Sequence, residues 1–203
     1  MPTVVNVWDP LVRIIHWLLL LLFCLSYITG EQDHWLHIYS GYSIFMLISV
    51  RLVWGFFGSK YARFSDFIYS PSAIIHYLKG LRSANNERFI GHNPAGGVMI
   101  VALLSTLFLT TLSGMKLYAI EEGLGPFSIS EEVTAQSANL TSEQKKEQRE
   151  KQEAFWEETH EIAVKLMLLL IILHVIGVFI SSRHHNENLT KSMFNGKKLI
   201  HKQ

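Results

Sequence analysis

Two histidines, His160 and His174, lie fourteen residues apart in a stretch that becomes almost wholly apolar (EIAVKLMLLLIILHVIGVFISS). At about 100° per residue, fourteen steps return to nearly the same helical face, displaced by about 21 Å along the axis. That displacement covers most of a hydrocarbon core about 30 Å thick. An ionisable side chain at such depth is costly unless a partner or ligand accounts for it. Two of them on one stripe, one toward each side of the bilayer, point to two stacked cofactors.

The elements that must position these side chains are four apolar segments, at 11–29, 35–57, 95–118 and 160–182. A soluble four-helix bundle would keep a wet face on every helix, whereas no charged residue occurs from Ala95 to Met115 or from Leu166 to Ser182. The 203 residues therefore read as one all-α, integral-membrane domain, an up-down-up-down four-helix bundle. The 58–94 loop carries Lys60, Arg63, Lys79, Arg82 and Arg88 against Asp66 and Glu87, and the tail after Ser182 carries Arg183, Lys191, Lys197, Lys198 and Lys202 against Glu187. The 119–159 loop is the reverse, with ten Glu against four basic residues. The positive-inside rule then places the 58–94 loop and both termini in the cytoplasm, with the acidic loop and the turn around Glu31 and Asp33 outside. The net charge of +1 hides these two faces. The basic face suits anionic lipid headgroups, and nothing resembles a nucleic-acid motif.

Local signals agree with this layout. Asp9-Pro10 reads as an N-cap and first helical residue, Thr29-Gly30 as a terminator, and Pro71–Leu78 as a short amphipathic helix on the membrane surface. Ser105, Thr106, Thr110, Thr111 and Gly114 suit close helix packing. Thr141-Ser142-Glu143-Gln144 is a capping-box pattern, so the fourth helix is expected to extend outward, back to about residue 142, the alternative being a charged loop. The first segment lacks a basic n-region and an A-x-A site and reads as a retained span rather than a signal peptide.

Topology assigns each histidine a depth. His16 falls in the inner part of the first helix, His37 near the outer surface on the second, His160 near the outer surface on the fourth, and His174 about 21 Å deeper. Depth thus pairs His16 with His174 and His37 with His160. Two imidazoles from facing helices are a common way for a bundle to hold a haem iron. With both axial positions filled, the iron suits one-electron transfer rather than oxygen chemistry. A single intramembrane histidine is as readily an interhelical hydrogen-bonding residue, but four that pair by depth are hard to explain by packing. Two histidines per level also make a poor zinc or iron-ion site. Gly41 and Gly177 sit where a flat macrocycle would need room. Arg13, three residues before His16, and Arg51, fourteen after His37, are expected near the inner haem as propionate partners, with snorkelling to headgroups as the competing role. Lys165 is a weaker candidate for the outer haem.

His34 shares much of His37's face and is its nearest rival; His92 is placed to touch a quinone or a propionate; His76, His184, His185 and His201 read as interfacial. The lone cysteine, Cys24, allows no internal disulfide and reads as a small buried residue, and no C-x-x-C-H site exists for covalent haem attachment.

Ile15-His16-Trp17, Leu36-His37 with Gly41, Thr159-His160-Glu161 and Leu173-His174 resemble the bacterial cytochrome b561 family, and the resemblance extends to the b-type cytochrome subunits of nickel–iron hydrogenases. Trp8-Asp9-Pro10 with Arg13, the run Gly91-His92-Asn93-Pro94-Ala95-Gly96-Gly97, and Ser181-Ser182-Arg183-His184 resemble the hydrogenase-like branch. The resemblance implies two haems b and electron exchange between a quinone pool and a redox partner, either a hydrogenase-like subunit or a soluble c-type cytochrome, in the bacterial inner membrane. The charged 130–158 segment departs from the family pattern. An electron carrier or membrane subunit is thus expected ahead of a stand-alone enzyme. A quinone-linked superoxide oxidase is the alternative, which the acidic outer loop disfavours; a non-redox membrane anchor is the third reading.

Overall fold

The computed structural model describes residues 3–31, 34–80, 89–128, 141–184 and 187–200. Asp33, Arg82, Glu87, Arg88, His185, His201, Lys202 and the 129–140 part of the charged segment lie outside the described residues, as does the side chain of His34.

Six α-helices make up most of the described chain: α1 (Pro10–Thr29), α2 (His34–Phe57), α3 (Pro71–Gly80), α4 (Pro94–Glu122), α5 (Ser142–His184) and α6 (Leu189–Asn195). Four of them, α1, α2, α4 and α5, are long and apolar enough to cross a membrane. The chain is a helical membrane bundle of this kind. Three of these helices start where the sequence supplies an acceptor for otherwise unpaired N–H groups. Asp9 Oδ1 accepts the Val12 N–H at 2.9 Å ahead of α1, and Asn93 Oδ1 accepts the Gly96 N–H at 2.7 Å ahead of α4. Pro10 and Pro94 follow at the first helical position, where the missing N–H costs nothing. Before α5, Thr141 Oγ1 accepts the Gln144 N–H at 3.3 Å while Gln144 Oε1 accepts the Thr141 N–H at 2.9 Å, a reciprocal capping box. From that cap α5 runs unbroken for 43 residues, about 65 Å, its first turns charged and solvated and its last apolar.

Large apolar side chains lie on the outer surface of these helices, among them Leu21 at 62% exposure, Ile28 at 72% and Val175 at 60%. Such a continuous apolar exterior is what a lipid-facing surface requires. Cys24 belongs to that exterior and is exposed rather than buried, because its position on α1 turns away from the protein interior.

A small ribbon joins the two ends of the described chain. β1 (Thr3–Asn6) pairs antiparallel with β2 (Lys197–Ile200), Thr3 opposite Ile200 and Asn6 opposite Lys197. Gly196, at φ +77°, ends α6 in the left-handed conformation, and its carbonyl accepts the Val7 and Trp8 N–H groups at 2.9 and 3.2 Å. Neither four-residue strand carries a periodic signal, and the sequence reading did not foresee them.

The chain forms two compact units. The first comprises Met1–Leu21, Met46–Leu104 and Leu169–Gln203; the second comprises Leu22–Phe45 and Ser105–Leu168. His16, His92, His174, Arg13 and Arg51 belong to the first, and His37 and His160 to the second.

Candidate functional site

In the second unit, the rings of His37 on α2 and His160 on α5 face one another with centroids 6.1 Å apart and planes at 81°. Each is fixed by the same device. His37 Nδ1 lies 2.9 Å from the Ser26 carbonyl oxygen and 3.2 Å from Ser26 Oγ. His160 Nδ1 lies 2.9 Å from the Thr110 carbonyl oxygen and 3.1 Å from Ser113 Oγ. A carbonyl only accepts, so both Nδ1 atoms carry the proton and both Nε2 atoms present a lone pair. That tautomer, anchored through the far nitrogen, is the one a metal-ligating histidine adopts.

Local sequence explains why these carbonyls are available. Ser26 is in the last turn of α1, where carbonyls have no intrahelical partner. Thr110 is mid-helix, but Gly114 one turn on has no side chain to cover its carbonyl. A Cβ built on Gly114 would stand 2.9 Å from His160 Cε1, so the imidazole occupies the space that any other residue would fill. A metal ion bonded to both rings at about 2 Å would separate their centroids by roughly 6 Å, and the observed spacing fits. Among the described residues, no group of three or more His, Cys, Asp or Glu side chains is arranged to hold a bare metal ion. Two imidazoles suffice where a macrocycle supplies the other nitrogens. Gly41 has open space beside it, as does Gly177 in the region of His174.

The first unit brings His16 on α1 and His174 on α5 within electrostatic range of each other. Their surroundings differ from the pair above. His16 Nδ1 is buried with no hydrogen-bond partner, and its ring meets Trp17 edge-on at 5.1 Å. Arg51, 6% exposed, donates from Nη2 to the Ala62 carbonyl at 3.1 Å, while its Nη1 has no partner. Such burial removes snorkelling as its role. Arg13 donates to the Phe194 carbonyl on α6, and its Nε is buried and unpartnered. Trp17 and Phe194 stack at 4.3 Å above that contact. Lys165, the weaker candidate, is instead paired with Glu161 at 2.7 Å on the exposed face of α5.

The sequence marks Asp9 as an N-cap and His92 as a residue placed to touch a quinone or propionate, but does not foresee the contacts they make or the pairing of Lys198 with Glu187. Asp9 does more than cap α1: its Oδ2 accepts the Trp54 Nε1–H at 2.8 Å and the Ser59 hydroxyl at 2.6 Å, tying α1 to the end of α2. Burial alone would raise its carboxyl, but these hydrogen bonds, the Val12 N–H and the charge of Arg51 together hold it below the ordinary carboxylate value. Lys198 and Glu187 form a buried ion pair at 3.0 Å, and Lys198 also donates to the Phe89 and Ile90 carbonyls. His92 lies between the rings of Trp8 and Phe67, at 4.5 and 4.9 Å. Its burial, with the charges of Arg51, Lys198 and His174 added, pushes the imidazolium down to about 3, so it is neutral at physiological pH. His76 and His184 are exposed.

Comparison with curated proteins and with solved structures returned no match. Comparison with family profiles matched prokaryotic cytochrome b561, a profile that also carries the nickel-hydrogenase cytochrome b label, over residues 7–196. That span takes in all four membrane-crossing helices and His16, His37, His92, His160 and His174. The chain therefore belongs to the prokaryotic cytochrome b561 family of multi-pass, haem b-carrying membrane electron carriers.

Proposed function

We propose that this protein is a dihaem b-type cytochrome that carries electrons between a membrane quinone and a redox partner, with one haem held by His37 and His160 and the other by His16 and His174. The observation that carries the reading is the His37–His160 pair: two facing rings 6.1 Å apart, each anchored through Nδ1 so that Nε2 is free. Bound haem supplies a reversible ferric–ferrous couple, and two imidazole ligands confine it to outer-sphere, one-electron exchange. The protein's own contribution is to set ligand tautomer and orientation, to exclude water with apolar helices, and to counter propionate charge with Arg13 and Arg51. By the distribution of Lys and Arg, the His16–His174 site lies toward the cytoplasm of a bacterial inner membrane and the His37–His160 site toward the outside. The acidic 119–159 stretch, from the last turn of α4 into the first turns of α5, suits a basic partner such as a c-type cytochrome, and the resemblance to the hydrogenase branch makes a hydrogenase-like subunit the other candidate.

The test is haem quantification with optical spectroscopy on His16→Ala, His37→Ala, His160→Ala and His174→Ala in the purified protein. Two haems per chain are expected in the unaltered protein. The variants should fall into two classes, His16 with His174 and His37 with His160, each retaining one haem. Loss of the same haem in His160→Ala and His174→Ala would overturn the pairing, and absence of reducible haem bands would overturn the function.

A further inference from the structure

We infer that the groove between the first turns of α1 and α6 holds one anionic phospholipid, its phosphate on Arg13 and an acyl chain along Ile14 and Leu18. This surface lies outside the histidine pairs, and the inference stands independently of the dihaem reading.

The groove encloses about 340 Å³ and is lined by Pro10, Arg13, Ile14, Trp17 and Leu18 of α1 with Met193 and Phe194 of α6, all of the first unit. The spacing 10, 13, 14, 17, 18 is one face of a helix, about 12 Å long. Pro10 starts α1, so this face begins at the end of a membrane-crossing helix and descends along its apolar length. Ile14, Leu18 and Phe194 are exposed, so the groove opens sideways onto the surface that lipid covers. Arg13 heads it. The guanidinium is steadied by the bond from Nη1 to the Phe194 carbonyl, and among the described residues no carboxylate lies within ion-pair distance of it. The nearest acid in sequence, Asp9, is already engaged by the Val12 N–H, Trp54 and Ser59. Lys191, one turn before Phe194 on α6, adds a second cation on the same helical face. One turn beyond Arg13, Trp17 stacks on Phe194 at 4.3 Å, and both Trp17 Nε1 and Arg13 Nε are buried without a partner.

Down the groove the order is therefore cation, indole N–H and aliphatic wall. A phospholipid presents phosphate, ester carbonyls and acyl chain in the same order. Guanidinium and phosphate pair through charge-assisted hydrogen bonds, and indoles favour headgroup depth. A neutral quinone would supply carbonyls but leave both cations uncompensated, so charge selects the phosphodiester. A direct bond from Arg13 to a phosphate is compatible with its influence on the His16 site, because Coulombic interaction needs no contact.

The test is native mass spectrometry of the haem-loaded, full-length protein, equilibrated in detergent with equimolar dioleoyl phosphatidylglycerol and dioleoyl phosphatidylcholine. One phosphatidylglycerol per chain should be retained, favoured about tenfold over phosphatidylcholine, as one charge-assisted hydrogen bond allows. Ile14→Trp fills the groove from its exposed wall and should remove that preference and most of the retention, with haem per chain unchanged. Arg13→Gln should leave a lipid bound but without headgroup preference. Equal retention of the two lipids by the unaltered protein would overturn the inference, as would an undiminished preference in Arg13→Gln. Retention unaffected by Ile14→Trp would mean adhesion to the basic face at large and would overturn it too. Inorganic phosphate should not displace the lipid; displacement would make this a phosphate site without a chain. Displacement by an equivalent of ubiquinone would reassign the groove to a quinone. If Arg13→Gln fails to assemble, Ile14→Trp decides alone.

Discussion

Around His37 and His160, polar groups are satisfied: each Nδ1 has a carbonyl and a hydroxyl within reach, and the ion pairs of that unit sit at the surface. Around His16 and His174 the opposite holds. Five buried nitrogens lack a partner, Arg13 Nε, His16 Nδ1, Trp17 Nε1, Arg51 Nη1 and His92 Nδ1, and all five belong to that one unit. Buried N–H groups without acceptors are rare and costly in folded proteins. One unit therefore orients its histidines by hydrogen bonds that are complete within the chain. The other keeps three unmet donors, Arg13 Nε, Trp17 Nε1 and Arg51 Nη1, whose natural complement is an anionic or carbonyl-bearing group, as haem propionates are. The two histidine pairs are thus built on different physical terms, one on geometry and the other on charge.

The comparison breaks most sharply at Gly114. A leucine there would overlap the His160 ring, so Gly114→Leu should abolish the haem assigned to His37 and His160 and spare the other. Haem content and the surviving spectrum check this. Retention of both haems would show that the ring does not need that space. Next in size is the buried ion pair. Lys198→Met leaves Glu187 stripped of its ammonium partner and should cost about 3–5 kcal/mol of stability. Lys165→Met removes an exposed pair from the other unit and should change stability by less than about 1 kcal/mol. Thermal unfolding in detergent compares the two, and equal losses would erase the charge contrast between the units.

A further contrast is a pH dependence, smaller than the loss expected for Lys198→Met. Burial, then Arg51, Lys198 and His174, lower His92 from its ordinary 6.5 to about 3. The unfolded chain takes up that proton near 6.5 while the folded one does not, so the unfolded state binds more protons across this window. Stability should fall as pH drops below about 6.5 and continue to fall toward 3. Between pH 6.5 and 5 the loss should be about 2 kcal/mol. His92→Gln should flatten that limb in unfolding curves measured across the range; an unchanged slope would mean the imidazole is not held neutral.

Much of this architecture can be read from residues alone, and the limits are instructive. Long apolar runs bounded by Asp9-Pro10, Asn93-Pro94 and Thr141–Gln144 mark helices, because hydropathy and capping are local properties. Helical rise ranks the histidines by depth without any structure. What stays hidden is backbone chemistry. The acceptors behind His37 and His160 are main-chain carbonyls of Ser26 and Thr110, and any residue type carries one. Gly114 reads from sequence as a packing residue; only the position of His160 shows that it clears a path to a carbonyl. Arg51 is ambiguous for the same reason. Snorkelling and burial use the same side chain, and contact with Ala62, rather than spacing, separates them. Cys24 errs because apolar segments in a membrane have two apolar sides, and composition does not say which faces lipid.

The β1–β2 ribbon has a consequence for biogenesis. Thr3–Asn6 is synthesised before any helix, and Lys197–Ile200 after all of them, yet the two must meet in register. They can do so only on one side of a bilayer, which requires that an even number of spans lie between them. A chain that skipped one helix during insertion would leave its two strands facing different compartments, each with an unpaired edge. The ribbon thus acts as a parity check on topogenesis, closing only when the number of crossings between its strands is even.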